Sequence, residues 1–397
     1  MSYQATSDAF NGLYDCFART PLSFTHGKGA WLYDEKGTAY LDFMAGIAVN
    51  ALGHAHPALT HALKEQAEKL WHTSNLFQSP LQAGVAATLC KHSFADKVFF
   101  CNSGAEALEC AIKTARRYHY SRNRPEKIDI ISFEGAFHGR TLATLAAGGQ
   151  EKYLAGFGPK AAGFIQVPLN NEVALTKAIS PTTAALLIEP IQGEGGVRVV
   201  STEFLRTLRA LCNQNQLLLI FDEVQSGIGR AGTLFAHETA GTTPDIMALA
   251  KGLGGGFPLG ACLATHEAAS GMGPGSHGTT FGGNALAMAV ANKLLEIILA
   301  PHFLPTVQER AKQLQNGLYR LVDTYPQLLE TVRGRGLFLG LKCKIPNTKL
   351  IKSLETQHML VAGAGDNVVR LLPPLNINTD EINIALNKLD TALQTLQ

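Results

Sequence analysis

An α/β fold with a mainly parallel sheet covered by helices, and a second, smaller α+β domain, is the fold class this sequence predicts. Three observations predict it. Short apolar runs such as 217–221 and 246–250 are bounded by polar residues and glycine, the pattern of strands buried on both faces. Runs of this kind alternate with stretches of helical apolar spacing, as in a parallel sheet covered by helices. A length of 397 residues exceeds one ordinary core but suits a large domain and a smaller one.

Taken in order, the chain first offers WLYDEKGTAYLDF, two alternating apolar stretches about Lys36-Gly37 that read as a hairpin. We assign residues 1–50 to an N-terminal arm and part of the small domain. Helical spacing follows over 57–73. Strands are then predicted over 97–101, 128–133, 184–188, 217–221 and 246–250, with helices over 105–120 and 202–213. These elements make residues 51–282 a large domain. Around Gly283 the pattern becomes a long helix, NALAMAVANKLLEIILA, which opens a C-terminal small domain of helices and short strands over 283–397.

Composition narrows the function. With 46% hydrophobic residues, 17% charged and 39 glycines, the chain is folded and rich in turns. Its formal charge of +2, without a long basic run, points away from nucleic acid and membrane surfaces. The seven cysteines are odd in number, scattered and without a CxxC pair, as expected of a reduced, cytoplasmic protein with no metal site. The opening residues lack the basic-then-apolar order of a signal peptide, and no apolar stretch reaches the roughly 18 residues of a membrane span. Neither an internal repeat nor a low-complexity segment is present.

Chemistry concentrates where strands end. The run 217–221 delivers Asp222-Glu223, and 246–250 delivers Lys251 followed by Gly252. Ligands of open α/β sheets bind outside the carboxyl ends of strands, so Asp222 and Lys251 are expected to face one crevice. A carboxylate and an amine so placed suit pyridoxal phosphate, the lysine for its aldehyde and the acid for its ring nitrogen; a structural ion pair is the plainer reading of the same two residues. At Asn102-Ser103-Gly104-Ala105 a strand turns into a helix whose free N–H groups form an anion site, although Ser103 also suits simple helix capping. Gly273 to Gly278, GPGSHG, matches GxGxxG only formally: it follows no strand, opens no clear helix and is not a dinucleotide fingerprint.

Eight blocks carry a resemblance over nearly the whole chain: LDFMAGIAVNALGHAHP, CNSGAEALECAIKTAR, EGAFHGRTLAT, IEPIQGEGG, FDEVQSGIGRAGTLFAHE, PDIMALAKGLGGGFPLGA, HGTTFGGN and VVRLLPPLNI. In this order they resemble the class III pyridoxal phosphate-dependent aminotransferases. The resemblance implies the type I fold of pyridoxal phosphate-dependent transferases. It implies that Lys251 bonds the cofactor and later moves the substrate proton, with Asp222 on the ring nitrogen and Gln225 near the ring hydroxyl. Glu223 and Val224 would be further cofactor contacts. Ser103, Gly104 and Ala105 would hold the phosphate and Phe137 would stack on the ring. Thr280 resembles the residue that reaches the cofactor phosphate of a neighbouring subunit, which implies a homodimer with shared sites. Thr279 would lie near the substrate.

For the substrate, the resemblance gives Arg140 as a carboxylate clamp, where the residues alone also allow a surface ion pair. Glu194 and Arg370 match a pair in which the glutamate covers the arginine for one substrate and releases it for the other; a fixed bridge is the alternative. His138 reads as structural. Members acting on free ornithine resemble one another in a tyrosine that meets the α-amino group, and here that position is Ile47. An unpaired charged amine is costly in a site, so the implied donor is N2-acetyl-L-ornithine, with 2-oxoglutarate as acceptor and glutamate as product. Succinylated donors and 4-aminobutyrate stay open, as do an aminomutase and a non-catalytic binding protein on the same scaffold.

Overall fold

The computed structural model describes residues 12–397; the first eleven residues of the expected N-terminal arm lie outside them. A seven-stranded sheet forms the centre, in the order Lys97–Cys101, Gly260–Ala264, Ile246–Leu249, Leu218–Asp222, Thr183–Ile188, Asp129–Phe133, Phe164–Val167. Six strands run parallel. Gly260–Ala264 alone runs against both of its neighbours, and the sequence pattern did not reveal it.

The apolar runs are continuous because both faces are covered. Leu186, Ile188, Leu219, Phe221, Met247 and Leu249 point into one core. Their alternates Ala185, Leu187, Leu218, Ile220, Ile246 and Ala248 point into a second core on the other side of the sheet, as a period of two requires. The helix Gly104–Tyr120 closes this second face with Ala107, Leu108, Ala111, Ile112 and Ala115.

The predicted hairpin is Trp31–Asp34 with Ala39–Asp42, extended by Phe24–Lys28. Its sheet is completed by Met359–Leu360, parallel to Ala39–Asp42, so an early and a late segment of the chain pair in one sheet. A second, antiparallel sheet of Leu329–Arg335, Phe338–Cys343, Val368–Leu371 and Ala362–Ala364 follows the long helices Ala285–Ile298 and Phe303–Thr324. Buried Arg230 joins this C-terminal part to the central one, donating to the carbonyls of Leu337 (3.0 Å) and Pro373 (2.6 Å). Among the described residues no single helix is long and apolar enough to cross a membrane.

Candidate active site

Because six strands are parallel, their carboxyl ends emerge on one edge, and a cavity of about 430 Å³ opens there. Ser103, Gly104, Ala105, Phe137, His138, Arg140, Glu189, Asp222, Val224, Gln225 and Lys251 all line it. Its volume falls in the range of small-molecule sites.

On one wall is the start of the helix Gly104–Tyr120. Ser103 caps it, its hydroxyl accepting from the Glu106 N–H at 3.2 Å, while the Glu106 carboxylate accepts from the Asn102 N–H. The remaining first-turn N–H groups favour an anion. Gly104 meets a close approach: a Cβ there would stand 2.8 Å from Cγ1 of Val224. Here the capping role leaves room for an anion, since the cap satisfies only one of the free donors.

Asp222 ends the strand Leu218–Asp222 and is buried. Its Oδ2 lies 2.8 Å from Nδ1 of buried His138, and its Oδ1 accepts from the Val224 N–H at 3.0 Å. His138, expected to be structural, orients this carboxylate and leaves its own Nε2 without a partner. Lys251 follows the strand Ile246–Leu249 at the start of a short 3-10 turn, with φ of 42°. It is half-buried, and its amine has no hydrogen-bond partner among the described residues. Burial pulls its pKa down to about 8, against the opposing pull of Glu194, Asp222 and Glu189.

Glu189 is a residue that sequence reasoning missed. It follows the strand Thr183–Ile188 and obeys the same strand-end rule that singled out Asp222. Its Oε1 accepts from the Phe137 N–H at 2.8 Å and its Oε2 from the Gly193 N–H at 3.3 Å, so it ties together the loops that carry Phe137 and Glu194. Burial, with the Asp222 carboxylate close by, pushes the Glu189 carboxyl up to about 7.

Arg370 is buried on the strand Val368–Leu371, and its NH1 donates to Glu194 at 2.6 Å and to Gln225 at 3.0 Å. Glu194 is the more exposed partner, at 27% against 3% for the arginine. Arg140 stands at the cavity with its guanidinium carbon 4.1 Å from the ring centroid of Tyr153.

Six expected residues do not line the cavity: Glu194 and Arg370, which join it through Gln225, and four others. Glu223 turns away from the cavity: its carboxylate accepts from the Ala236 and His237 N–H groups and meets Nδ1 of His237 at 2.8 Å. Consecutive residues leaving a strand face opposite sides, so Asp222 and Glu223 cannot both point inward. Thr279 and Thr280 line a separate cavity of about 540 Å³, and Thr280 is exposed. Ile47 is half-buried in the segment Ala45–Ala48, also with a positive φ of 63°.

The donor set suits pyridoxal phosphate: a helix start for the phosphate, a fixed carboxylate for the ring nitrogen and an unpartnered amine for the aldehyde. A sequence model of the family described as aminotransferase class-III matches residues 17–393. The acetylornithine aminotransferase of Mesorhizobium japonicum is 61% identical over 379 residues, covering 96% of this chain and 95% of that one. The protein of the same name from Agrobacterium fabrum is 59% identical over 390 residues, with 98% of each chain covered. Among solved structures, N-acetylornithine aminotransferase from Stenotrophomonas maltophilia superposes with a TM-score of 0.84 at 39% identity, covering 96% of this chain and 97% of that one. Ornithine aminotransferase from Toxoplasma gondii gives 0.94 at 30% identity, covering 99% and 96%.

Proposed function

The chain belongs to the class-III aminotransferases, and from that premise we propose that it moves the δ-amino group of N2-acetyl-L-ornithine to 2-oxoglutarate, giving N-acetyl-L-glutamate 5-semialdehyde and L-glutamate. The observation that carries this reading is the unpartnered Lys251 amine, sharing one cavity with Asp222, beside a bridged Glu194–Arg370 pair. Full-length identity to acetylornithine aminotransferases supports the donor.

Pyridoxal phosphate, when bound, supplies an electron sink that lets the carbon bearing the amino group lose a proton. Ser103, Gly104 and Ala105 bind its phosphate. The Asp222 carboxylate, set by His138, keeps a proton on the ring nitrogen, with Val224 and Gln225 beside it. Phe137 covers the ring. With a pKa near 8 the Lys251 Nζ is neutral in a useful fraction near physiological pH, so it can take the substrate proton and return it.

Arg140 holds the donor's carboxylate, and Ile47 offers no counter-charge to a free α-amine, which favours an acylated donor. While the donor is bound, Glu194 neutralises Arg370; when 2-oxoglutarate binds, Glu194 swings aside and Arg370 takes its carboxylate. The greater exposure of Glu194 suits it, and not Arg370, to be the partner that moves. Thr280 completes the cofactor site of a second copy, near which Thr279 meets substrate, so the working unit is a homodimer. Residues 51–282 are the cofactor-binding unit, the described part of 1–50 is an arm and part of the smaller unit, and 283–397 is the rest of that unit. All seven cysteines are free thiols, which suits a cytoplasmic enzyme.

A donor panel with 2-oxoglutarate as acceptor tests the function. N2-acetylornithine is expected to yield glutamate at a higher kcat/KM than free ornithine or 4-aminobutyrate, and the opposite order would refute the donor. Single-turnover rates test the pair. Glu194→Ala slows the acetylornithine half-reaction and spares that with glutamate, while Arg370→Ala does the reverse by roughly 10- to 150-fold. Equal losses in both half-reactions for both variants leave only a fixed bridge.

A further inference from the structure

Arg140 has no hydrogen-bonded or ion-paired partner among the described residues, although it is exposed at the cavity. Aromatic rings hold it instead. Its guanidinium carbon lies 4.1 Å from the Tyr153 centroid and 5.5 Å from that of Phe137. The two rings meet edge to face, with centroids 6.1 Å apart at 83°.

Tyr153 sits on the one-turn helix Glu151–Leu154. The preceding residue, Gln150, donates its Nε2 to the Ala136 carbonyl at 2.6 Å, one residue before Phe137. Ring and guanidinium are therefore fastened to the same loop. Lys152 places its ammonium 4.5 Å from the Tyr153 centroid, a second cation on the same ring.

A ring face attracts a guanidinium without occupying its N–H groups. The planar fork stays free for a bidentate carboxylate, whereas an ion-paired arginine would first have to break its pair. The stack also restricts a long side chain whose rotamer freedom binding would otherwise have to remove.

We infer that Tyr153 is a positioning residue for the donor: it holds Arg140 by its ring face, with the N–H groups uncommitted, ready for the α-carboxylate of the substrate. This rests on the reading of Arg140 as the carboxylate clamp, and the test separates the two. Steady-state kinetics of the holoenzyme are compared for N2-acetylornithine and for N-acetylputrescine, which is the same donor without its carboxylate.

Tyr153→Leu is expected to raise KM for N2-acetylornithine about 3- to 30-fold, the span of a cation–π contact between exposed and desolvated limits. Its kcat stays within about twofold, and kcat/KM for N-acetylputrescine does not fall. Tyr153→Phe keeps the ring face and restores the KM. Should Tyr153→Leu misfold, Tyr153→Met fills the volume without a ring and is read in the same way. An unchanged KM, or equal losses with both donors, overturns the inference. If Arg140→Leu raises KM for N2-acetylornithine and Tyr153→Leu does not, only the role of Tyr153 falls; if Arg140→Leu leaves that KM unchanged, the clamp itself falls and the inference with it.

Discussion

Lys251 combines a left-handed backbone, with φ of 42°, and a half-buried amine whose charged form is disfavoured. Both are unfavourable for folding, and both place the amine for chemistry. The folded-state pKa of about 8 lies below the ordinary 10.5, so in the cofactor-free protein the folded state binds fewer protons between these values. Stability therefore rises with pH across that window, and the cost is fully present below pH 8. Cofactor-free Lys251→Met is expected to exceed the cofactor-free parent by roughly 2 kcal/mol at neutral pH, allowing for water in the cavity. Denaturant titrations should show that gap closing towards pH 10.5; a gap independent of pH sinks the explanation. Asp222 and Lys251 were legible because each follows an apolar run. Glu189 follows one too, but its role depends on the N–H groups of Phe137 and Gly193, which meet it only after folding.

Among the elements, buried strands and amphipathic helices were the legible ones, because burial on two faces or one leaves a period in the sequence. The helix predicted over 57–73 stops at Ala67, where Nε2 of Gln66 takes the Leu70 carbonyl at 2.8 Å and Nε1 of Trp71 takes the Ala67 carbonyl at 2.7 Å. Such side-chain closure competes with the next turn and leaves the apolar spacing unchanged. Gly260–Ala264 escaped notice because GACLA opens on glycine and has no β-branched or aromatic residue, and the direction of a strand has no sequence period. Its position matters to the site, since a Cβ on Gly260 would stand 2.3 Å from the Ser103 carbonyl oxygen and 2.8 Å from Sγ of Cys101. Gly260→Ala is therefore expected to displace the helix start, destabilise the fold by about 1 to 3 kcal/mol and weaken retention of pyridoxal phosphate. Thermal unfolding and equilibrium dialysis against the cofactor check this, and unchanged values for both refute it.

At the scale of the whole molecule, the family was legible because its blocks span the chain from residue 41 to 377, while assembly was implied only through the resemblance at Thr280, because a single sequence does not show what covers its surface. Trp71, Leu76, Phe77 and Phe281 are exposed at 64%, 89%, 69% and 60%. Thr280, next to Phe281, serves no cavity with Lys251 in its own chain. Both observations favour a second copy here. The active protein should sediment as a dimer, and Thr280→Ala should lose cofactor more readily while staying dimeric; an active monomer refutes the shared site. Arg370, finally, belongs to the C-terminal sheet, whereas Glu194 and Gln225 belong to the central part of the chain. If the guanidinium changes partners between half-reactions, one ion pair serves as both substrate selector and rivet across the seam. Thermodynamic reciprocity then links the two roles: whatever tightens the seam through this pair weakens the hold on the acceptor, and an acceptor that captures Arg370 loosens the seam by the same free energy.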